Sequence, residues 1–275
     1  MSTPADEAHV HLPNRERLSL LAAAILLAYA LGQFIHLPAI DMGAQLPGFY
    51  LALQINVHTI VALIVAGMAA SGANWLLRDH PAMRRGRMAE HWLLPALTAW
   101  AIGMPLFQMP PTPLWWIGFA TGGAALILVL VAEYIVVDAE DARRPLAAAG
   151  LTAAAFALYL VLIIALRFTG LRLFLVMPAV GIPCGLVSLR TLRLRIPQRW
   201  LFIEAGLCTL ITVELAAALH YWPISPITYG LALLAPSYAL TTLLGNLAEG
   251  EPPRSAILEP IVVLFLIWGV AFWMR

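Results

Sequence analysis

The 275-residue sequence contains no lysine, and only 11% of its residues are charged, whereas roughly a quarter are charged in soluble domains. Its 16 basic residues are all arginine and its net charge is +1, so no polybasic surface for nucleic acid is expected. Hydrophobic residues make up 61% of the chain. This composition predicts that most of the chain lies in a lipid bilayer.

Cysteine is scarce as well. Cys184 and Cys208 both lie within apolar runs, on different predicted spans, at a spacing that matches no zinc, haem or redox motif. We therefore expect two buried small side chains rather than a disulfide or a metal site. No metal and no cofactor are predicted.

Several catalytic signatures are missing. The sequence has no G-x-x-x-x-G-K-[ST], no H-E-x-x-H, no G-x-S-G of intramembrane serine proteases and no histidine pair at haem-like spacing. No aspartate lies within a predicted span, which argues against an intramembrane aspartyl protease. An enzymatic function is therefore disfavoured.

Apolar runs bounded by turn residues and charges predict an all-α fold, a polytopic bundle of about nine transmembrane helices, because a bilayer core needs about 20 apolar residues per helix. The expected domains are a short cytosolic tail at 1–16 and one transmembrane domain at 17–275. The predicted spans are 17–35, 49–73, 92–109, 115–137, 146–166, 173–192, 200–222, 227–247 and 256–273. Counts of eight or ten remain open, with the third and sixth spans the least regular.

The first span resembles a signal peptide, with Ala28-Tyr29-Ala30 as a cleavage-like sequence. We expect it to remain as an uncleaved helix because its apolar character continues past Ala30.

Arginine is distributed asymmetrically. With a cytosolic amino terminus, the cytosolic segments hold Arg15, Arg17, Arg78, Arg84, Arg85, Arg87, Arg143, Arg144, Arg190, Arg193, Arg195, Arg199 and Arg254, and the other side holds Arg167, Arg172 and Arg275. This bias predicts a cytosolic amino terminus in a plasma-membrane protein.

Ionisable residues inside predicted spans are the least generic feature. Glu214 and His58 are expected at similar depth, about 12 Å below the outer interface, so they can hydrogen-bond if spans two and seven are neighbours. Shallower polar residues complete this candidate outer site: Gln54, Asn56 and His220. It would relay protons, hold a cationic group, or only join helices.

A second, inner polar layer is predicted near the cytosolic interface. It consists of Glu133, Arg190, Glu204, Asn246 and Glu259. We interpret this layer mainly as ion pairing that fixes the positions of the helices.

Two further expectations concern individual spans. Helical spacing places residues 204, 207, 211, 214 and 218 on one stripe, which is expected to face the bundle interior. Pro178 and Pro183 predict an irregular sixth span, which either lines a site or packs closely against another helix.

Four stretches carry a resemblance: N-W-L-L-R-D-H-P at 74–81, V-A-E-Y-I-V-V-D at 131–138, H-Y-W-P at 220–223 and G-N-L-A-E-G-E-P at 245–252. They resemble an uncharacterised family of bacterial polytopic membrane proteins, a domain-of-unknown-function group from filamentous, chloroflexus-like bacteria. The resemblance implies a multi-span membrane protein. It implies no activity and no site residues.

Three functions follow, in order of preference. The first is an accessory or structural subunit of a membrane assembly, with other membrane subunits or further copies of the chain as partners besides the lipid. The second is a small-solute or proton-coupled transporter that uses Glu214 and His58. The third is a membrane-embedded enzyme acting on a lipid.

Overall fold

A computed structural model of the protein describes residues 13–35, 40–46, 49–55, 57–78, 80 and 89–274. These residues contain nine α-helices and a two-stranded hairpin. The elements are α1 (Arg15–Phe34), β1 (Ile40–Leu46), β2 (Phe49–Ile55), α2 (Val57–Leu77), α3 (Leu93–Gln108), α4 (Pro113–Val137), α5 (Arg144–Phe168), α6 (Leu173–Arg195), α7 (Phe202–Leu219), α8 (Pro226–Ala248) and α9 (Pro253–Trp273), with a short 3-10 helix at Ala89–His91. The predicted all-α polytopic bundle is confirmed.

Local sequence sets several helix starts. The Asn14 side chain accepts a hydrogen bond from the Glu16 N–H at 2.9 Å and so caps α1. The Ser225 hydroxyl accepts one from the Thr228 N–H at 3.1 Å at the start of α8. Proline occupies one of the first two positions of α4, α5, α8 and α9, where its missing N–H costs no helical hydrogen bond.

Contacts between helix ends establish that successive helices alternate in direction. Near the start of α1, Arg17 donates to the Trp75 carbonyl at the end of α2, at 3.3 Å. At the other end of α1, Gln33 donates to the Met109 carbonyl that follows α3, at 3.0 Å. The alternation continues through the contacts Gln108–Ala165, Arg167–His220 and Trp268–Ala232. We call the end where α1 begins the near end and the opposite end the far end.

The core of the described residues consists of two large apolar clusters that share α3 and α4, and a small third cluster of Leu192, Leu201 and Ala205. One cluster joins α1 to α4 around the buried rings of Tyr29 and Trp115, and the other joins α3 to α8 around Tyr159. Between membrane helices such contacts stabilise by close van der Waals approach rather than by removal of apolar surface from water. α7 and α9 lie at the periphery and leave most of their side chains uncovered.

Eight of the nine helices are long and apolar enough to cross a membrane, while α3 has 16 residues and is shorter. The predicted third span is therefore a real but short helix. The two cysteines are buried free thiols, as expected. Of the predicted tail at 1–16, residues 1–12 lie outside the described residues.

The largest error in the predicted helix boundaries concerns the second span. It was predicted to start at Phe49, but β2 occupies Phe49–Ile55 and α2 begins at Val57. β1 and β2 pair antiparallel, with Leu46 opposite Phe49, so two residues separate the strands. The region 36–48, predicted to be a loop, therefore contains a strand.

The sixth span was predicted to be irregular, which is wrong. α6 runs without interruption from Leu173 to Arg195 through Pro178 and Pro183. Helices in membrane bundles tolerate such prolines because neighbouring helices and local adjustments satisfy the backbone carbonyls that the proline leaves without a hydrogen bond.

Candidate functional site

A buried ion network lies at the near end of the bundle. Glu133, in the last turns of α4, is 1% exposed and accepts two hydrogen bonds from Arg190 of α6, one of them from Nε at 3.0 Å. His91 Nδ1 lies 2.8 Å from the same carboxylate. The carboxylate is thus held by a guanidinium and an imidazole from different segments, as a buried charge requires.

The network extends to a second carboxylate. Glu90 accepts a hydrogen bond from Nε of Arg193, and its Oε1 lies 3.6 Å from His91 Nε2. The Arg193 guanidinium also lies over the Trp200 ring, 5.0 Å from its centroid. Two carboxylates and two guanidiniums balance in charge, and together they attach the 3-10 helix and the segment before α7 to α4 and α6.

A neighbouring polar group joins α6 to α8 and α9. Arg195 donates to Glu249 at 2.8 Å and 2.9 Å, and to the Asn246 side chain at 2.6 Å. Asn246 in turn donates to the Ala256 carbonyl at 3.1 Å. These contacts connect three helices at the near end.

The structure brings together part of the predicted inner layer. Glu133 and Arg190 form an ion pair, and Asn246 lies in the neighbouring group. Glu259 is exposed and accepts a hydrogen bond from Tyr238 at 3.3 Å, while Glu204 lies half-exposed in the first turn of α7.

Sequence reasoning missed three members of the network: Glu90, His91 and Arg193. The spacing of Arg193 could have identified it, because Arg190 and Arg193 are three residues apart on one helix and therefore share a face. Glu90 and His91 lie just before the predicted third span at 92–109, outside every predicted span. Among the described residues, no group of three His, Cys, Asp or Glu side chains is placed to hold a metal ion.

The predicted pair of His58 and Glu214 is not formed. His58 lies in the first turn of α2, where its ring stacks on Phe107 of α3 at 4.7 Å between centroids. α2 packs against α1 and α3, whereas α7 packs against α6 and α8. Of the companion residues, Gln54 lies in β2 and Asn56 lies outside the described residues.

The predicted orientation of α7 is wrong. Its buried side chains are Ala205, Cys208, Thr212 and Ala216, so the small residues face the bundle. The stripe at 207, 211, 214 and 218 is exposed. Glu214 consequently points away from the bundle, and within the described part of the chain it has no hydrogen-bond or ion-pair partner.

An apolar groove lies between α6 and α7 beside this outward face. Its volume is about 670 Å³, and small residues line it together with larger apolar ones: Gly181, Gly185, Ala205, Gly206, Thr209, Leu210 and Val213. Leu210 lines the groove and lies one turn before Glu214 on the same helix. The groove and the carboxyl are therefore parts of one surface, which we call the α7 surface.

A polar seam fills the contact between α6, α7 and α8. Ser188 and Thr241 hydroxyl oxygens lie 2.9 Å apart, and those of Thr212 and Ser237 lie 3.2 Å apart. Cys184 lies 3.8 Å from Ser237. These buried side chains satisfy one another and join the three helices.

His220, just beyond α7, belongs to a different group at the far end. Its carbonyl accepts a hydrogen bond from Arg167 at 2.7 Å, and a partly open cavity of about 210 Å³ adjoins both residues. Burial and the nearby Arg167 charge lower the pKa of His220 from its usual value.

Comparison with known proteins gives one match. The model of a family described as "Protein of unknown function (DUF5656)" matches residues 37–274. No curated protein and no solved structure matches the chain.

Proposed function

The chain belongs to the DUF5656 family, which confirms the predicted membership of an uncharacterised family, and we propose that it is an accessory subunit of a larger membrane assembly. Its eight long apolar helices support a multi-pass membrane protein. The observation that carries the proposal is the outward-facing Glu214 on the α7 surface.

A carboxyl group at this position is costly in lipid. Glu214 lies five residues before the last helical residue, Leu219, so it is about 8 Å from that end of α7 and farther from the other. Leu207, Leu210 and Ile211 around it are exposed and apolar. Lipid chains offer no hydrogen bond to a carboxyl, so an intramembrane glutamate calls for a partner group.

The α7 surface has the features that favour helix association in membranes. Small side chains permit close approach of a second helix, and a polar side chain supplies a hydrogen bond, worth about 1 kcal/mol in such settings. Gly206 opens into the groove, since a Cβ built there meets no described atom outside its own helix within 4 Å.

We infer that the occupant is a transmembrane helix of another protein that carries a basic or amide side chain at the depth of Glu214. A second copy of this chain fits less well. A two-fold dimer through this surface would place two Glu214 side chains against each other, and α7 itself carries no basic residue.

The transport hypothesis depended on joining Glu214 to His58, and the geometry does not favour it. The enzyme hypothesis required accessible acid–base groups, whereas Glu133, His91 and Arg190 are buried and paired with one another.

Copurification from native membranes tests the proposal. We expect the wild-type chain to retain a partner protein at fixed stoichiometry, measured by native mass spectrometry. Glu214→Gln and Gly206→Leu are expected to lose most of it, the first by weakening the polar contact and the second by filling the groove. Glu140→Gln, the same chemical change in an exposed loop, is the control and should retain the partner.

Three results would overturn the proposal. They are isolation of the wild-type chain alone, isolation of a homo-oligomer only, and equal partner retention by all variants. A retained partner without a membrane helix that carries a hydrogen-bond donor would also contradict it.

We also propose a plasma-membrane location with a cytosolic amino terminus. The distribution of arginine supports it, because the alternating helices bring Arg17, Arg143, Arg190 and Arg254 to the near end and Arg167 to the far end. A cysteine placed at Ala142 should then react with a membrane-impermeant maleimide only after cells are opened, whereas one at Gly170 should react in intact cells. The reverse pattern would invert the topology.

A further inference from the structure

We propose that the far-end cavity binds an anionic group, a phosphate or a carboxylate, between Arg167 and His220. The site is separate from the α7 surface and does not depend on the accessory role. Among the described residues, Arg167 has no carboxylate partner and His220 Nδ1 has no hydrogen-bond partner, and one cavity adjoins both side chains.

Arg167, in the last turn of α5, carries a positive charge that no described carboxylate neutralises. Its two Nη atoms donate to the carbonyls of His220 at 2.7 Å and Trp222 at 3.1 Å, and its guanidinium lies 4.8 Å from the Tyr229 ring centroid. These contacts hold the group in place but use only two of its five N–H donors. No carboxylate of the described residues lies within ion-pair distance of it.

This environment differs from that of the three arginines near the end of α6. Arg190, Arg193 and Arg195 each pair with a glutamate of the chain. Arg167 is half-buried and meets carbonyl groups and an aromatic ring instead. A positioned guanidinium with free donors is the side chain best suited to a planar carboxylate or a phosphate.

His220 supplies the second polar contact. Its Nδ1 atom is buried and has no hydrogen-bond partner in the part of the chain that the structure describes. A buried polar atom without a partner is costly, and an anionic oxygen would accept a hydrogen bond from a protonated Nδ1. The Tyr229 hydroxyl already donates to the Ala216 carbonyl at 3.2 Å, so it is not required for the ligand.

The cavity sets the size and polarity of the ligand. It has a volume of about 210 Å³, and its remaining walls are mostly apolar: Leu166, Leu171, Val176 and Val180. Water takes about 30 Å³ per molecule in the liquid, so the cavity has room for more than a few heavy atoms. We therefore expect an anionic head attached to a short apolar or glycerol-like body.

A phospholipid headgroup and a free small anion share this chemistry. The exposed rings of Phe168, Tyr221 and Trp222 surround the far end of α5 and α7, as aromatic residues do at the membrane interface. A phospholipid phosphate would lie at that depth.

Calorimetric titration of the full-length chain in a neutral detergent tests the site. The probes are dihexanoyl-phosphatidylglycerol, inorganic phosphate and uncharged dihexanoylglycerol. We expect the phosphatidylglycerol probe to bind and the uncharged probe not to bind. His220→Phe and Arg167→Gln should each weaken binding about tenfold, the usual loss for one charge-assisted hydrogen bond.

The variants separate ligand binding from structure. Arg167→Gln also removes two contacts to backbone carbonyls, whereas His220→Phe keeps those carbonyls and the ring contact with Tyr221. His220→Phe is therefore decisive if Arg167→Gln fails to fold. Arg172→Gln is the matched control, because Arg172 is exposed near the same end and does not line the cavity.

Binding should also strengthen as the pH falls. The described groups that face His220 are Arg167 from α5, Tyr229 from α8 and Tyr221 from its own turn, and α6 contributes the apolar side chains of Val176 and Val180. Since burial and Arg167 lower the pKa of the free imidazole, a bound anion should raise it, so affinity rises as pH falls through that range. His220→Phe should abolish this dependence.

The outcomes are distinct. Comparable affinity for inorganic phosphate would assign the site to a free anion, and selective binding of the lipid probe would assign it to a headgroup. No binding of either anion, equal binding of the uncharged probe, or full affinity in His220→Phe would overturn the proposal. Retention of the partner at the α7 surface should not change in His220→Phe.

Discussion

Glu133 and Glu214 lie in apolar helices of similar composition, yet their surroundings are opposite. Glu133 is 1% exposed and contacts Arg190 and His91. Glu214 is exposed on the outside of α7 and has no partner among the described residues. One carboxyl is paired within the chain, and the other is the group that we propose contacts a partner helix.

The difference shows that the role of an intramembrane charge depends on which helices pack around it. α4 lies between α1, α3 and α5 and directs Glu133 toward α6, whereas α7 contacts only one side of the bundle through α6 and α8. The buried Glu133 joins the segments that carry its partners, while the exposed Glu214 lies on the surface that we propose for association.

The largest effect should come from breaking the buried pair. Glu133→Leu leaves the Arg190 guanidinium buried without its counter-ion, so we expect a loss of about 3–5 kcal/mol in the free energy of unfolding. Denaturant titration in detergent micelles, followed by tryptophan fluorescence, measures it.

The double variant Glu133→Leu, Arg190→Leu tests whether the unpaired Arg190 charge causes this loss of stability. Replacing both charges with apolar side chains should restore much of the loss, because no unpaired charge remains. A double variant as unstable as Glu133→Leu alone would show that the pair is not the source of the effect.

An intermediate effect should separate the two sides of α7. A Cβ at Gly181 would lie 2.8 Å from Val213 Cγ2, so Gly181→Leu should cost about 1–3 kcal/mol through overpacking between α6 and α7. Gly206 faces open space, and Gly206→Ala should instead stabilise by about 0.5–1 kcal/mol because alanine favours the helix. Thermal unfolding of both variants measures the contrast, and equal destabilisation would place Gly206 inside the bundle.

The smallest effect on the isolated chain should come from Glu214. Since Glu214→Leu breaks no hydrogen bond or ion pair among the described residues, the free energy of unfolding of this variant should stay within about 0.5 kcal/mol of the wild type. The same denaturant titration measures it, alongside partner retention. A loss comparable to that of Glu133→Leu would contradict the outward orientation of Glu214.

The length and number of the helices were predictable because each helix that crosses a bilayer needs about 20 consecutive apolar residues, and such runs are visible in the sequence. The start of α2 was not, since the strand Phe49–Ile55 is as apolar as the helix that follows and no charge separates them. Phe49 and Tyr50 favour a strand, but this preference is weak beside a long apolar run.

The faces of α7 were assigned by the wrong criterion. In a soluble helix the polar stripe faces water, whereas in a membrane helix the cost of burying charge in lipid predicts that this stripe faces the bundle interior. The small residues Ala205, Cys208, Thr212 and Ala216 were the better guide, because close helix contact in lipid selects small side chains.

Part of the near-end network followed from the sequence. Helix alternation alone brings Glu133 and Arg190 to one level. The pairing of Glu90 with Arg193 could not be predicted, since it depends on how the segment before α3 folds back over the end of α6.

The 16 residues of α3 span about 24 Å, less than the roughly 30 Å of a bilayer's hydrocarbon layer. Exposed to lipid, such a helix would force the bilayer to thin or the helix ends to draw lipid headgroups inward. α3 is instead surrounded by other helices, and at its far end Leu106 and Met109 carbonyls receive the Trp115 indole and the Gln33 amide. The short α3 therefore contacts protein instead of lipid at its ends, and the surrounding bilayer does not have to thin around it.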